Sequence, residues 1–183
     1  HLIVRFDRLR NVSREELRDR TRLMYPSQAS QAWVDLWSNE DWEHYRRRLF
    51  DVSEFMRNVQ SAFARWYNHA HQRRGRFWAD RFKSVILEDQ RAVLDCMLYV
   101  DLNPVRAGLV ERPEEWAGSS LVLRELGKDR WLTPLQTLLG QPTEKRALIE
   151  YRERLYYRGN VPTRDGRRVI SQEVLDQEIG RGF

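Results

Sequence analysis

The residues best suited to chemistry lie in one stretch of the chain, where basic and aromatic side chains alternate. Between residues 57 and 83 there are seven Lys and Arg and a single acid, Asp80, so this segment carries a net charge of +6. The remaining 25 basic and 26 acidic residues leave the rest of the chain at −1. The seven cations are Arg57, Arg65, Arg73, Arg74, Arg76, Arg81 and Lys83. The aromatic residues among them are Phe63, Trp66, Tyr67, Phe77, Trp78 and Phe82.

Basic and aromatic side chains in one segment suit the binding of nucleic acid. Cationic groups neutralise phosphates, and aromatic faces stack on unpaired bases. For the rings alone, packing into a hydrophobic core is the commoner use and the favoured interpretation. For the segregated charge, a polyanionic partner is favoured, and we predict that residues 57–83 form the main contact with it. Charge alone leaves an RNA-binding module open as an alternative.

The elements that must position this segment are a helix, a loop and a strand. Apolar residues recur at steps of three and four after Ser53, which predicts a helix from this N-cap to about Ala70. Gly75 ends the helical segment in a loop. Residues 82–88 alternate between apolar and polar side chains, which predicts a strand.

Elsewhere the sequence predicts more helix than strand. His1 to Phe6 is rich in β-branched residues and predicts a strand. The sequence from Ser13 to Glu16 is typical of a capping box and begins a helix that ends near Met24. A second helical stretch, residues 28–49, is interrupted near residues 39–41.

The second half of the chain follows the same pattern. Asp89 caps a helix that Asn103 and Pro104 are expected to stop, because proline lacks an amide hydrogen. Residues 113–120 are predicted to form a loop, and residues 143–157 a last helix. The polar tail after Gly159 is expected to be mobile or extended. Together these elements predict a mixed α+β chain.

Composition narrows the class of protein. The single cysteine, Cys96, excludes an internal disulfide, which favours a reducing compartment such as the cytoplasm. No apolar run approaches the ~20 residues that a membrane-spanning helix needs, so no membrane partner is expected. The sequence starts at His1, without Met and directly in a strand-like run, as if inside a domain. The lack of a targeting segment therefore says little about the intact protein.

Several motifs follow one another in a distinctive order. They are Phe55-Met56-Arg57, Phe63-Ala64-Arg65-Trp66-Tyr67-Asn68, Gly75-Arg76-Phe77-Trp78, Arg81-Phe82-Lys83-Ser84 and the run from Tyr99 to Val110. Their order resembles that in the REP-associated tyrosine transposases, a branch of the single-tyrosine HUH transposases. The most specific part is the Arg-Phe-Lys-Ser block followed by Asn-Pro-Val-Arg-Ala-Gly. The resemblance covers residues 1–120 and nothing beyond them.

This resemblance implies a fold and an activity. The fold is an α+β domain of the ferredoxin-like HUH nuclease type, with a small antiparallel sheet and flanking helices. It would span residues 1–120 and lack its first strand, and residues 121–183 would form a helical C-terminal extension. The implied activity is transposition of a mobile element, by cleavage of single-stranded or hairpin DNA through a 5′-phosphotyrosine link. A divalent metal, Mg or Mn, would assist, and a homodimer is one expectation for the assembly.

The resemblance also implies roles for particular residues. His1 aligns with the second ligand of a His-hydrophobic-His metal site, whose first ligand would lie just before this sequence, and Asn68 would complete the site. Phe63 stands where the family has its nucleophile, so Tyr67, one turn further on the same helix face, is the candidate catalytic residue. A metal on the scissile phosphate would stabilise the developing charge. The structural alternatives are that Tyr67 is a core tyrosine and that Asn68 caps the helix. Two functions stay open: a DNA-nicking transposase, or a catalytically inactive hairpin-DNA-binding protein derived from one.

Overall fold

A computed structural model describes residues 2–5 and 10–183, and the regular structure of these residues is helical throughout. The helices are α1 (Arg14–Met24), α2 (Gln28–Asp35), α3 (Asn39–Arg48), α4 (Val52–Ala70), α5 (Gln90–Arg106), α6 (Ser120–Glu125), α7 (Leu135–Leu139), α8 (Glu144–Asn160) and α9 (Gln172–Arg181). A 3₁₀ turn, Pro113–Glu115, lies between α5 and α6. The described part of residues 4–84 forms one compact unit, and residues 85–183 with residues 2 and 3 form another.

The predicted α+β fold with an antiparallel sheet is wrong. Residues 2–5, the described part of the first predicted strand, and residues 82–88, the second, adopt neither helix nor strand. Alternation is a local property of the sequence, whereas a strand needs a neighbouring strand to pair its backbone N–H and C=O groups. No other described residue supplies that partner. His1 and Phe6, the ends of the first predicted strand, lie outside the described residues.

The unit of residues 4–84 has a small core built by α1, α2 and α3. Ser13, Ser27 and Ser38 each begin one of these helices by accepting a hydrogen bond from a first-turn amide. The buried side chains are Val12, Leu17, Val34, Trp42 and Tyr45, with Trp37 packed edge-on against Trp42 at 5.0 Å between ring centroids. The longest helix of the unit, α4, contributes no buried residue to this core.

The unit of residues 85–183 has a larger core formed mainly between α5 and α8. Its fully buried side chains include Leu102, Leu121, Leu135, Tyr151, Leu155, Tyr156 and Ile170. These residues come from both sides of position 120, so hydrophobic packing crosses the predicted boundary between residues 1–120 and 121–183. The boundary at residue 120 marks the end of the motif resemblance, and it stays a prediction.

Two predictions about helix ends in this unit are wrong for identifiable reasons. Helix α5 continues through Pro104 to Arg106. Pro104 lies in its last turn, where the missing amide removes only one hydrogen bond. The tail after Gly159 is not extended: Ile170 and Leu175 are buried, and α9 packs against α8. These two buried side chains, spaced among polar residues, are too few to give a clear helical pattern.

A buried polar cluster ties α5 to α6 and α8. Asp101, only 2% exposed, accepts hydrogen bonds from the Tyr151 hydroxyl at 2.7 Å and from the Ser120 hydroxyl at 3.3 Å. Burial raises the pKa of Asp101, although both hydrogen bonds and the nearby Arg124 act in the opposite direction. Burial also raises the pKa of Tyr151 well above its ordinary value. The cluster is enclosed, so its role is to hold three helices together.

Candidate nucleic-acid interface

Helix α4 carries the first half of the predicted interface. It begins at Asp51, whose carboxylate accepts the amides of Ser53 at 2.7 Å and Glu54 at 3.3 Å. Asp51, not Ser53, is therefore the N-cap. Its apolar face is left open: Phe63 is 39% exposed and Trp66 is 61% exposed. The favoured interpretation of these rings as core residues is therefore wrong for this helix.

The segment after α4 folds back onto the helix. Gln72 (φ 52°) and Gly75 (φ 96°) both adopt left-handed backbone conformations, which turn the chain sharply. The Asn68 side-chain amide then donates to the Gly75 carbonyl oxygen at 2.9 Å. Further along, the Trp78 indole N–H donates to the Gln60 carbonyl oxygen at 2.9 Å. These two hydrogen bonds fix residues 75–78 against α4.

Ring contacts reinforce this arrangement. Phe77 lies with its ring centroid 5.1 Å from that of Phe63 and 4.7 Å from that of Tyr67. Trp78 lies 5.6 Å from Phe63. The centroid of the His71 ring lies 4.2 Å from that of Tyr67. The five rings of Phe63, Trp66, Tyr67, Phe77 and Trp78 thus form one connected aromatic cluster on the surface of the unit.

All seven predicted DNA-binding cations are exposed. Arg57 is committed to Glu54, at 2.5 Å between guanidinium and carboxylate. The Arg73 guanidinium lies 5.9 Å from the Tyr67 ring centroid, at the outer limit of a cation–π contact. Within residues 2–5 and 10–183, six of the cations form no ion pair: Arg65, Arg73, Arg74, Arg76, Arg81 and Lys83. We call these six cations and the five rings of the cluster the basic aromatic surface.

The residues proposed for cleavage have other contacts in the structure. Tyr67 is half-buried, and its hydroxyl forms no hydrogen bond with any described residue. Asn68 uses its amide to hold Gly75 and so orders the loop. His1, the other predicted metal ligand, lies outside the described residues.

The described residues also do not supply a metal site at this position. Among them, no group of three or more His, Cys, Asp or Glu side chains is arranged to hold a metal ion. Asn68 alone cannot fix a divalent cation, which needs several oxygen or nitrogen ligands. The Mg or Mn site stays a prediction of the resemblance.

Sequence reasoning missed the residues that order the surface. Gln60 contributes only a backbone carbonyl, and Gly75 a carbonyl and a left-handed conformation, so neither has a side-chain signature. The one local signal is Gly75, which predicts a loop. It does not indicate that the chain after this loop folds back onto α4. In the sequence Trp78 is only one of the aromatic residues of the segment. Its role as an anchor is visible only from its hydrogen bond to Gln60.

Comparison with known proteins leaves the chain without an assigned relative: no family model, no curated protein and no solved structure matches it. The resemblance to REP-associated tyrosine transposases therefore stays a prediction from its motifs. In the part of the chain that the structure describes, no helix combines the length and apolar character needed to span a membrane.

Proposed function

We propose that the chain binds single-stranded or hairpin DNA through the basic aromatic surface. The observation that carries the proposal is that one surface combines exposed cations with exposed rings. Its six cations form no ion pair within the described residues, and its aromatic cluster is not part of the hydrophobic core. A solvated basic helix explains the charge but leaves the open rings unexplained. Nucleic acid accounts for the charge and for the exposed rings, because phosphates pair with cations and bases stack on aromatic rings.

The contrast with other arginines of the chain supports this proposal. Arg112 pairs with Glu178 at 3.1 Å, Arg124 pairs with Glu144 at 3.3 Å, and Arg152 pairs with several acids, among them Glu125. These side chains are largely buried and stabilise the fold of their own unit. The cations of the basic aromatic surface have no such internal role, so their charge is available to a partner.

The choice of DNA rests on the motif resemblance, and the choice of unpaired bases rests on the exposed rings. Cleavage through Tyr67 depends on His1 and on a metal site that the described residues do not complete. We therefore propose binding as the function of this chain. Nicking and strand transfer stay predictions of the resemblance.

The test is a fluorescence anisotropy titration of the full chain at low salt. Its probes are a labelled single strand, a hairpin, a duplex and an RNA of the same sequence. We expect the single strand and the hairpin to bind more tightly than the duplex. Changing Arg73, Arg74 and Arg76 to Ala should weaken the binding of both by more than about tenfold, because phosphate contacts are lost whatever the sequence.

A matched triple variant controls for net charge. Arg130, Arg164 and Arg181 are also exposed and form no ion pair within the described residues. Changing them to Ala alters the charge by the same amount outside the basic aromatic surface, and should leave affinity within about twofold. Equal losses in the two triple variants, or no binding by the parent, would overturn the proposal. Tighter binding of RNA than of DNA would overturn the choice of DNA.

A further inference from the structure

The rings of the basic aromatic surface differ in how far they are already engaged. Trp78 is anchored through its indole N–H to Gln60 and packs against Phe63 and Phe77. Tyr67 is half-buried and its ring contacts those of Phe77 and His71. These rings build the surface, and their faces are largely covered by one another.

Trp66 is the exception. It is the most exposed ring of the surface, at 61%, and its neighbours Phe63 and Tyr67 lie at 5.5 Å and 6.5 Å between ring centroids. Its indole N–H forms no hydrogen bond with a described residue. An indole is the largest aromatic face a protein offers, and leaving it in water forgoes its hydrophobic contribution to folding.

The electrostatic setting indicates what covers this face. Exposed tryptophans also serve as anchors in protein interfaces, but charged residues are depleted at the centres of such interfaces. Here the ring lies on a helix whose last turn leads directly into a loop with three arginines, Arg73, Arg74 and Arg76, that form no ion pair with any described residue. A ligand that brings flat aromatic groups on a chain of negative charges complements both features. That ligand is a single nucleic-acid strand.

We infer that Trp66 is the residue on which an unpaired base of bound DNA stacks, and that it gives the surface its preference for unpaired over paired bases. This inference rests on the proposed function and adds the specificity-determining contact to it. Phosphates flanking the stacked base would contact the arginines of the loop. A paired base within a duplex presents no free face, so it gains nothing from Trp66.

Abasic DNA separates the stacking contact from the charge contacts. A labelled deoxyoligonucleotide and one of equal length built from abasic residues carry the same phosphates, and only the first can stack. We expect the parent chain to bind the base-bearing strand more tightly. In Trp66→Ala this affinity should fall by about tenfold to a hundredfold, while the affinity for the abasic strand stays unchanged. Trp66→Phe should restore most of the loss, because a smaller ring still stacks.

Trp131→Ala is the matched control, because Trp131 is 73% exposed, lies outside this surface and has no ring contact within the described residues. It should leave both affinities unchanged, and circular dichroism should show that every variant keeps the parent's helix content. If Trp66→Ala still distinguishes the base-bearing from the abasic strand, or if the parent binds both equally, the inference is wrong while DNA binding stands. If the parent binds neither strand at low salt, the proposed function itself is wrong.

Discussion

At the scale of single residues, Asp101 shows how a buried charge is accommodated. Its carboxylate accepts hydrogen bonds from Tyr151 and Ser120, yet burial raises its pKa. The folded chain therefore holds the Asp101 proton more tightly than the unfolded chain does. This contribution to stability is complete below the unfolded pKa of about 4 and is lost as pH rises through the raised folded value.

Asp101→Asn should remove that loss. The amide oxygen still accepts from Tyr151, the amide N–H donates to the Ser120 hydroxyl, and no charge is buried. Urea unfolding between pH 3 and pH 8 should show the variant gaining stability relative to the parent as pH rises from about 4, until the difference becomes constant. A difference that does not vary with pH would contradict this prediction.

Two further variants complete that measurement. Asp101→Ala leaves the Tyr151 hydroxyl buried without a partner and should lower the free energy of unfolding by about 1–3 kcal/mol at neutral pH. Asp35→Asn makes the same substitution at an exposed position outside this cluster and is the control for it.

Tyr67 gives a second prediction at this scale. Its ring packs against Phe77 and His71, while its hydroxyl has no hydrogen-bond partner within the described residues. Tyr67→Phe should therefore change the free energy of unfolding by less than about 0.5 kcal/mol and leave the affinity for single-stranded DNA within about twofold.

Covalent chemistry at Tyr67 needs a separate readout. If the protein nicks DNA as the resemblance implies, a denaturing gel should show a covalent protein–DNA adduct for the parent and none for Tyr67→Phe. An adduct that persists in this variant would exclude Tyr67 as the nucleophile. An adduct that forms only in Phe63→Tyr would indicate a binder that has lost its nucleophile.

At the scale of elements, the Asn68 side chain supports the loop after α4. Asn68 donates to the Gly75 carbonyl, and Asn68→Ala removes this bond while leaving the helix intact. The released loop should be cleaved by trypsin after Arg73, Arg74 or Arg76 several times faster than in the parent. Asn58→Ala, the same substitution at an exposed position of the same helix, should leave the cleavage rate unchanged. Equal rates in both variants would show that Asn68 does not order the loop.

Helix α8 makes another prediction through Gly159. A Cβ at this position would lie 2.5 Å from Ile170 Cδ1 and 2.8 Å from Leu102 Cδ2, which is closer than real side chains approach. Gly159→Ala should therefore lower the free energy of unfolding by about 1–3 kcal/mol through overpacking.

Gly180→Ala in α9 is the matched control for this effect. A Cβ there meets nothing within 4 Å, so the substitution should stabilise the chain by up to about 1 kcal/mol through helix propensity. Chemical denaturation of both variants should give opposite signs. A loss of stability in both would show that packing at Gly159 is not the cause.

The elements also show why helices were easier to predict than strands. Ser13 and Asp89 begin helices as predicted, because a cap acts on amides two or three residues away and is written in the local sequence. Residues 82–88 carry an equally clear local pattern but have no strand to pair with among the described residues. The predicted fold class is wrong for this reason: a sheet depends on pairing between residues distant in sequence, which a local pattern does not specify.

At the scale of the whole molecule, the distribution of charge was the most informative feature of the sequence. The segregated +6 follows directly from the order of the residues, and in the structure all seven cations are exposed. Their environment was not predictable, because an ion pair such as Arg57 with Glu54 depends on side-chain geometry. The aromatic rings were harder still, since buried and exposed helix faces share one periodicity.

This distribution fixes how DNA binding should respond to salt. Arg57 already pairs with Glu54, a carboxylate that it shares with Arg48, so we expect the six cations that form no ion pair within the described residues to displace counterions from phosphates. Each phosphate neutralised on a single strand contributes about −0.7 to the slope of log K against log salt, so the parent should show a slope no steeper than about −4.

Changing Arg73, Arg74 and Arg76 to Ala should reduce this slope to about −2. The triple variant of Arg130, Arg164 and Arg181 should keep the parent's slope, because those cations do not belong to the basic aromatic surface. Anisotropy titrations between 50 and 300 mM salt, roughly the range over which counterion release dominates, give these slopes directly. A slope that stays at the parent's value in the first variant would place the phosphate contacts elsewhere on the chain.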